Sequence, residues 1–213
     1  AEIKVKDLPY ENQEWNNVGS AQTIESVSSD YKRWRLASFM GRVNYNFKDR
    51  YLLTVSARYD GSSRLAIGHK WVLFPSAALA WRIKEESFLK DVDYLSNLKL
   101  RLGWGITGNT AIDPYKTQGS LSYGRYSYGS NGVLGFYQNE MPNPYLSWEK
   151  TQQWNAGIDF GFLNGRIGGS IDLYLQNTND LLMDRQLPIV SGFGGVTTNI
   201  GKTRNKGLEI TLN

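Results

Sequence analysis

From Leu36 to Phe47 the chain alternates between two kinds of residue. Phe39, Val43, Tyr45 and Phe47 share one parity, with Gly41 among them, while Met40, Arg42, Asn44 and Asn46 share the other. After the charged turn KDR the alternation resumes, and Tyr51, Leu53, Val55, Ala57 and Tyr59 oppose Thr54, Ser56, Arg58 and Asp60. A period of two marks a β-strand with one apolar and one polar face. A slip of one residue would exchange the faces, so the pattern also specifies register. The same signature recurs in PSAALAWRI, NLKLRLGWGIT, QQWNAGIDFGF, RIGGSIDLYLQNT and KGLEITLN. The spacing predicts meandering antiparallel strands at 36–47, 50–60, 71–83, 97–107, 148–160, 166–178 and 206–213, each paired with its neighbour in sequence.

The connections alternate in length. KDR and FLNGR are short, 61–70 is of medium length, and 84–97 is moderate, with a helical turn expected around Phe88. The segments 108–147 and 179–205 are long loops. Short turns at one end and long loops at the other are the rhythm of an outer-membrane barrel. Tyr45, Phe47, Tyr51, Trp81, Phe160 and Phe162 lie near the shorter connections, and Tyr59, Trp71, Trp104 and Trp148 near the longer ones. Two belts of amphipathic rings are what two membrane–water interfaces select. The competing fold is a soluble β-sandwich, whose inner face also alternates. A sandwich has no reason to alternate loop lengths or to place aromatics at both strand ends. On the polar parity, Arg42, Arg58, Arg82, Lys99, Arg101, Asp159, Asp172 and Glu209 all point one way. On the wall of a large barrel such charges find water or a plug as partner.

Composition narrows the chemistry. The net charge is +4 with no basic or acidic block, so nucleic-acid binding has no electrostatic footprint. No cysteine is present, so neither a disulfide framework nor a thiolate metal site is available. His69, the single histidine, sits in a Gly- and Ser-rich loop, where solvation is its ordinary state. No stretch approaches the roughly 20 apolar residues of a transmembrane helix, which bears on helical spanning and not on strands. The N-terminal AEIKVKDLPYENQEW lacks the basic and apolar regions of a signal peptide, as expected of a chain that starts within a longer one. There is no nucleophile elbow, P-loop or H-E-x-x-H. Gly103 and Gly105 lie inside a strand, where they are expected to relieve crowding, and Glu85 and Glu86 fall in a connection. No enzyme activity, cofactor or metal is expected.

Several consecutive motifs carry a family resemblance. SFMGRVNYNFKDRYLLTVSARYDGSSR at 38–64, FPSAALAWRI at 74–83, LSNLKLRLGWGITGN at 95–109, PNPYLSWEKTQQWNAGIDFGFLNGRIGGSIDLY at 142–174 and NIGKTRNKGLEITLN at 199–213 resemble the barrel of SusC/RagA-type TonB-linked outer-membrane transporters of Bacteroidetes. The resemblance implies an all-β fold: an antiparallel up-and-down transmembrane β-barrel segment, part of a large plugged barrel of about 22 strands. Residues 36–213 would be the partial barrel, and 1–35 an outer loop and possible strand before it. The plug, the TonB box and the remaining strands would lie outside this chain. Implied partners are a SusD-like surface lipoprotein, the TonB–ExbB–ExbD system acting through the plug, and outer-membrane lipid. The implied cargo is oligosaccharide or other glycan, with peptide as the nearest variant. Arg42, Arg58, Arg82, Arg101, Asp159, Asp172 and Glu209 would face the lumen or plug. In GSLSYGRYSYGSNGVLGFYQNEMPNPY, the rings of Tyr123, Tyr126, Tyr128, Phe136 and Tyr137 offer flat surfaces with polar rims suited to sugars or peptides. A loop that packs against its neighbours or a lipoprotein lid explains them equally. The rival from another class is a soluble or surface-attached β-sandwich that binds glycans.

Overall fold

The computed structural model describes residues 2–7 and 18–213. Contacts divide the chain into two units, Ala1–Arg33 and Trp34–Asn213. In the first, β1 (Glu2–Lys6) pairs antiparallel with β2 (Thr23–Ser28), with a shift in register between Lys4 and Val5. The part of the expected outer loop at 8–17 lies outside the described residues.

The second unit contains β3 (Leu36–Phe47), β4 (Tyr51–Ser62), β5 (Trp71–Arg82), β6 (Leu95–Asn109), β7 (Leu121–Tyr128), β8 (Asn131–Gln138), β9 (Glu149–Phe162), β10 (Ile167–Asn179), β11 (Leu182–Gln186), β12 (Gly195–Asn199) and β13 (Lys202–Leu212). Seven of these form one antiparallel sheet in the order β13-β10-β9-β6-β5-β4-β3. All seven expected strands form and pair as expected. The two long connections are not plain loops, however: β7 pairs with β8 and β11 with β12, each a separate two-stranded ribbon. The helical turn expected around Phe88 is a 3-10 turn at Ile83–Glu85, followed by reverse turns closed by Leu89 N–H to Glu86 O (3.0 Å) and Val92 N–H to Leu89 O (3.1 Å).

Local chemistry sets the tight turns. Lys48 and Asp49 both adopt positive φ (52° and 54°), the twist that joins adjacent antiparallel strands without splaying them. The side-chain carbonyl of Asn46 accepts from the Asp49 N–H at 3.0 Å and steadies this strained pair.

Register carries one face across the whole sheet. Tyr45, Leu53, Leu79, Leu102, Ala156, Leu173 and Leu208 form a continuous cross-strand row. Arg42, Ser56, Ser76, Gly105, Gln153, Gln176 and Asn205 form a row of the opposite parity. Directly paired residues point to the same side of a sheet, so the apolar and polar parities stay separate from β3 to β13. Within Trp34–Asn213 nothing layers on the apolar face: Leu102 is 42% exposed and Leu173 55%. Among the described residues, buried apolar side chains are limited to Leu65, Ala66, Phe74, Leu95, Leu146 and Trp148.

Aromatic rings close both ends of the apolar face. At the short-turn end Phe47, Tyr51 and Trp81 follow one another at 6.4 and 6.1 Å between centroids. At the long-loop end Trp71 stacks on Tyr59 at 5.0 Å and on Phe39 at 6.1 Å. Tyr51 and Tyr59 are eight residues apart on β4. That is about 27 Å along a strand, or roughly 20 Å along the normal at the usual tilt, close to the ~25 Å apolar band of a membrane barrel. Trp148 does not belong to this belt. It precedes the first residue of β9, is 4% exposed, and packs edge-on against Phe74 at 5.3 Å. Its indole N–H donates to Lys70 O at 2.9 Å.

The uncovered apolar face yields a direct expectation. Leu102→Arg, near the middle of that face, should destabilise the barrel refolded into lipid vesicles by about 2–4 kcal/mol. Ser56→Arg, on the polar face, should cost clearly less, since it loses chiefly the hydrogen bond to Ser76 at 2.6 Å. Equal penalties in denaturant titrations would mean that the faces are reversed.

Candidate functional site

The polar face brings four of the predicted charged residues together. Arg101 on β6 lies beside Asp159 on β9 and Asp172 on β10. Its Nε and Nη2 donate to Asp159 at 2.7–3.0 Å, and Nη2 also donates to Asp172 Oδ1 at 2.8 Å. Lys99 Nζ approaches Asp159 at 3.8 Å. Room for this cluster comes from Gly157, which pairs across the sheet with both Arg101 and Asp172. A Cβ at Gly157 would stand 2.2 Å from Asp172 Oδ1 and 2.9 Å from Arg101 Nη2. Crowding also accounts for Gly105, whose added Cβ would meet that of Ser76 at 3.1 Å; Gly103 has ordinary space.

The other predicted charges share this face but not this cluster. Arg58 donates from Nε to Asp60 Oδ2 at 2.7 Å. Arg82 sits at the turn end, donating to Glu85 at 2.8 Å and to Asp49 O at 3.1 Å. Arg42 is on β3, opposite Ser56, and Glu209 is on β13, opposite Asp172.

At the short-turn end, Glu86 draws the connection onto the aromatic row. Its Oε1 accepts from Tyr51 Oη at 2.7 Å and from Trp81 Nε1 at 3.0 Å, and its Oε2 accepts from Arg50 Nη1 at 3.1 Å. Donation from Tyr51, then from Trp81, holds the Glu86 carboxyl below the usual carboxylate range, with the Arg50 charge acting in the same direction. Sequence reading set Glu86 aside as a loop acid. Its spacing of five from Trp81 was the available clue.

At the long-loop end the connections fasten to one another around a small core. Leu65, Phe74, Leu146 and Trp148 form it, with Val72, Ile106, Ile112 and Leu182 packed against it. Ala66 N–H donates to Leu146 O at 3.1 Å. Asn199 Nδ2 donates to Ser147 O and Asp180 O, both at 2.9 Å, while its Oδ1 accepts from Ser147 N–H at 2.8 Å. Two clefts open beside this core. One, of about 480 Å³, is lined by Arg64, Asp113, Lys116 and Asp184, among others; a second, of about 280 Å³, is lined by Trp34, Arg58, Asp60, Arg64 and Trp148.

The five predicted ring residues lie on the β7–β8 ribbon but are not one platform. Tyr123 pairs with Phe136 on one face; Tyr126, Tyr128 and Tyr137 lie on the other. All five are more than half exposed, as are Leu121 and Leu134.

An antiparallel sheet with a bare apolar face, a charged polar face and ringed ends describes the wall of a membrane barrel. The chain belongs to the family of TonB dependent receptor-like β-barrels, which it matches over residues 5–213. It is 48% identical to the TonB-dependent receptor SusC of Bacteroides thetaiotaomicron over 187 residues, 84% of this chain and 18% of that protein. A TonB-dependent receptor of Formosa agariphila is 38% identical over 93% of this chain and 20% of its own length. Among solved structures, the RagAB peptide transporter matches with a TM-score of 0.78 and 30% identity over 95% of this chain and 22% of that one. The siderophore receptor PirA of Pseudomonas aeruginosa, at 15% identity and a TM-score of 0.57, shares the fold. The chain spans about a fifth of the length of the SusC and Formosa relatives. The family is one of outer-membrane transporters, not enzymes, and it places this chain in the bacterial outer membrane. The soluble sandwich is thereby overturned: the family is a barrel.

Two measurements probe this geometry. Gly157→Ala and Asp172→Asn should each destabilise by about 1 kcal/mol, because each disturbs the hydrogen bond between Arg101 and Asp172. Together they should cost less than the sum of the two; full additivity in a double-mutant cycle would contradict the crowding. Because the Glu86 pKa is depressed in the folded state, its contribution is present above the unfolded value of about 4.3 and is lost as pH falls through the lower folded value. The stability gap between wild type and Glu86→Gln should therefore shrink on acidification through that window, as read by unfolding midpoints at stepped pH.

Proposed function

We propose that this chain is part of the wall of a TonB-dependent importer that takes up oligosaccharides or other glycans. Residues 36–213 supply barrel strands, and 1–35 an outer loop and strand before them. The carrying observation is a seven-stranded antiparallel sheet whose apolar side is bare and whose polar side bears Arg101, Asp159 and Asp172. In this reading the apolar side meets lipid. Arg42, Arg58, Arg82, Arg101, Asp159, Asp172 and Glu209 face a wet lumen or a plug supplied by the rest of the protein. The TonB–ExbB–ExbD system acts on that plug.

The β7–β8 ribbon supports a partner at the outer end. A two-stranded ribbon is marginal in water by itself. This one leaves large apolar side chains exposed on both faces, which fits cover by a SusD-like surface lipoprotein. Tyr123, Tyr126, Tyr128, Phe136 and Tyr137 would then serve ligand on one side and lipoprotein on the other. Peptide is the second reading for the cargo, favoured by the likeness to the RagAB peptide transporter.

Uptake tests the proposal. Cells relying on the full-length importer should accumulate a labelled neutral oligosaccharide. Deleting Leu121–Gln138 should lower that uptake roughly tenfold or more, the scale of losing a few aromatic anchors. Accumulation of peptide in place of sugar would exclude the glycan assignment, and accumulation of neither would exclude the importer.

A further inference from the structure

The apolar side of the sheet carries a groove of about 460 Å³, lined by Ala77, Leu102, Trp104, Trp154, Ala156 and Leu175, among others. Ala77 and Ala156 are short beside their cross-strand neighbours Trp104, Leu102 and Leu173, and so leave space. The rings of Trp104 and Trp154, 5.8 Å apart, stand at its long-loop end. The side-chain amide of Gln152, with its oxygen turned toward them, accepts from Trp104 Nε1 at 3.0 Å and from Trp154 Nε1 at 3.3 Å. Both indoles therefore present their polar edge toward the long connections.

Just beyond the groove the same parity turns basic. On β13 the run Leu208, Ile210 and Leu212 gives way to Lys206, Arg204 and Lys202. Lys206 pairs with Leu175 of the groove, Arg204 with Asn177, and Asn179 lies between Lys202 and Lys150 of β9. All four cations are exposed. Among the described residues none of them pairs with a carboxylate, and no Asp or Glu shares this parity at the long-loop end of β9, β10 or β13. Arg204 Nε donates to Asn177 Oδ1 at 2.7 Å, which holds the guanidinium against β10 and leaves its two Nη groups to donate elsewhere.

We infer that this patch binds one anionic lipid of the outer leaflet, with its phosphate on Arg204 and Lys206 and an acyl chain in the groove below Trp104 and Trp154. The inference rests on the reading that the apolar side meets lipid and the long connections lie at the outer end. The rest of a barrel adds strands at the two edges of the sheet and a plug on its polar side, so the outward side of β6, β9 and β10 stays open to lipid. Cations are costly within the hydrocarbon and favourable among headgroups, which sets the depth of Lys206 and Arg204. A guanidinium already oriented by Asn177 suits two phosphate oxygens, and an adjacent ammonium adds a point charge. Arg204 and Lys206 are about 7 Å apart along β13, and Lys206 is about 10 Å from Trp154 across two strands. One lipid can therefore span headgroup and groove. With no carboxylate on this parity to receive an ammonium, the patch favours a phosphate without a compensating amine.

The test titrates the full-length transporter in detergent with dioleoylphosphatidylglycerol and with dioleoylphosphatidylcholine, which share their tails, and counts bound lipid by native mass spectrometry. Wild type should hold one phosphatidylglycerol roughly tenfold more tightly than phosphatidylcholine, the scale of one charge-assisted hydrogen bond. The exposed double substitution Arg204→Gln and Lys206→Gln should abolish that preference and leave phosphatidylcholine binding as it was. Ala156→Phe keeps the face apolar but fills the groove, and should weaken both lipids several-fold. If Ala156→Phe does not assemble, as judged by heat-modifiable migration, the double substitution decides alone. Equal affinity of wild type for the two lipids, or a preference that survives the double substitution, overturns the site and leaves the barrel standing. Displacement of phosphatidylglycerol by millimolar inorganic phosphate, with no effect of Ala156→Phe, reduces the patch to an ion site and overturns the lipid. A full-length protein that stays soluble without detergent and shows no heat-modifiable form removes the membrane reading itself, and this inference with it.

Discussion

Backbone pairing at a fixed register holds the large sheet together, and its two faces follow from that register. In a layered protein a misplaced side chain is resisted by a packed core. Here Trp34–Asn213 provides no such layer over the apolar face, so the strands are positioned by ladder hydrogen bonds, paired side chains and the difference between their two environments. A slip of one residue on β6 would turn Arg101 and Lys99 toward the apolar side and Leu100 and Leu102 toward the polar side. Charge at the bilayer midplane is costly, so the alternation itself selects the register.

The two ends secure the sheet by different chemistry. At the short turns a single carboxylate, Glu86, collects a guanidinium, a phenol and an indole, and ties the 3-10 turn to β4 and β5. At the long connections a compact apolar cluster and the amide of Asn199 bind three excursions of chain to one another. Gly108 allows that cluster to sit tight on the sheet: a Cβ there would lie 2.0 Å from the Phe74 ring and 2.9 Å from that of Trp148. Ordered loops at this end give the Arg64 clefts fixed walls.

The sheet was legible because its period is unbroken over long strands. The ribbons were not. In LSYGRYSY and NGVLGFYQ both faces carry aromatic or apolar residues among glycine and serine, so neither parity is distinctly polar and the composition resembles a loop. The five-residue strands β11 and β12 are too short for alternation to stand out. Trp148 was misread because parity counts only inside a strand, and β9 begins one residue later, at Glu149. The charges of the polar face could be placed on a common side from sequence. Which of them touch depends on the stagger between β6, β9 and β10, which single-strand patterns do not carry. The clefts were out of reach for a related reason: Asp60 could be placed on the polar parity of β4, but Arg64, Ala111 and Lys116 come from connections with no period at all.

The internal ribbons also bear on how quickly the sheet can form. The β3–β4 and β9–β10 hairpins close across three or four residues, whereas β6 must find β9 across the whole segment from Asn109 to Glu149. Closing a long flexible segment is an entropic delay, and nonlocal pairings are the slow ones in folding. A ribbon that zips first between Leu121 and Gln138 removes its own residues from the free length of that segment. Between β10 and β13, Leu182 to Asn199 does the same. The chain therefore carries its own kinetic shortcuts, placed within the two connections where the search would otherwise be longest.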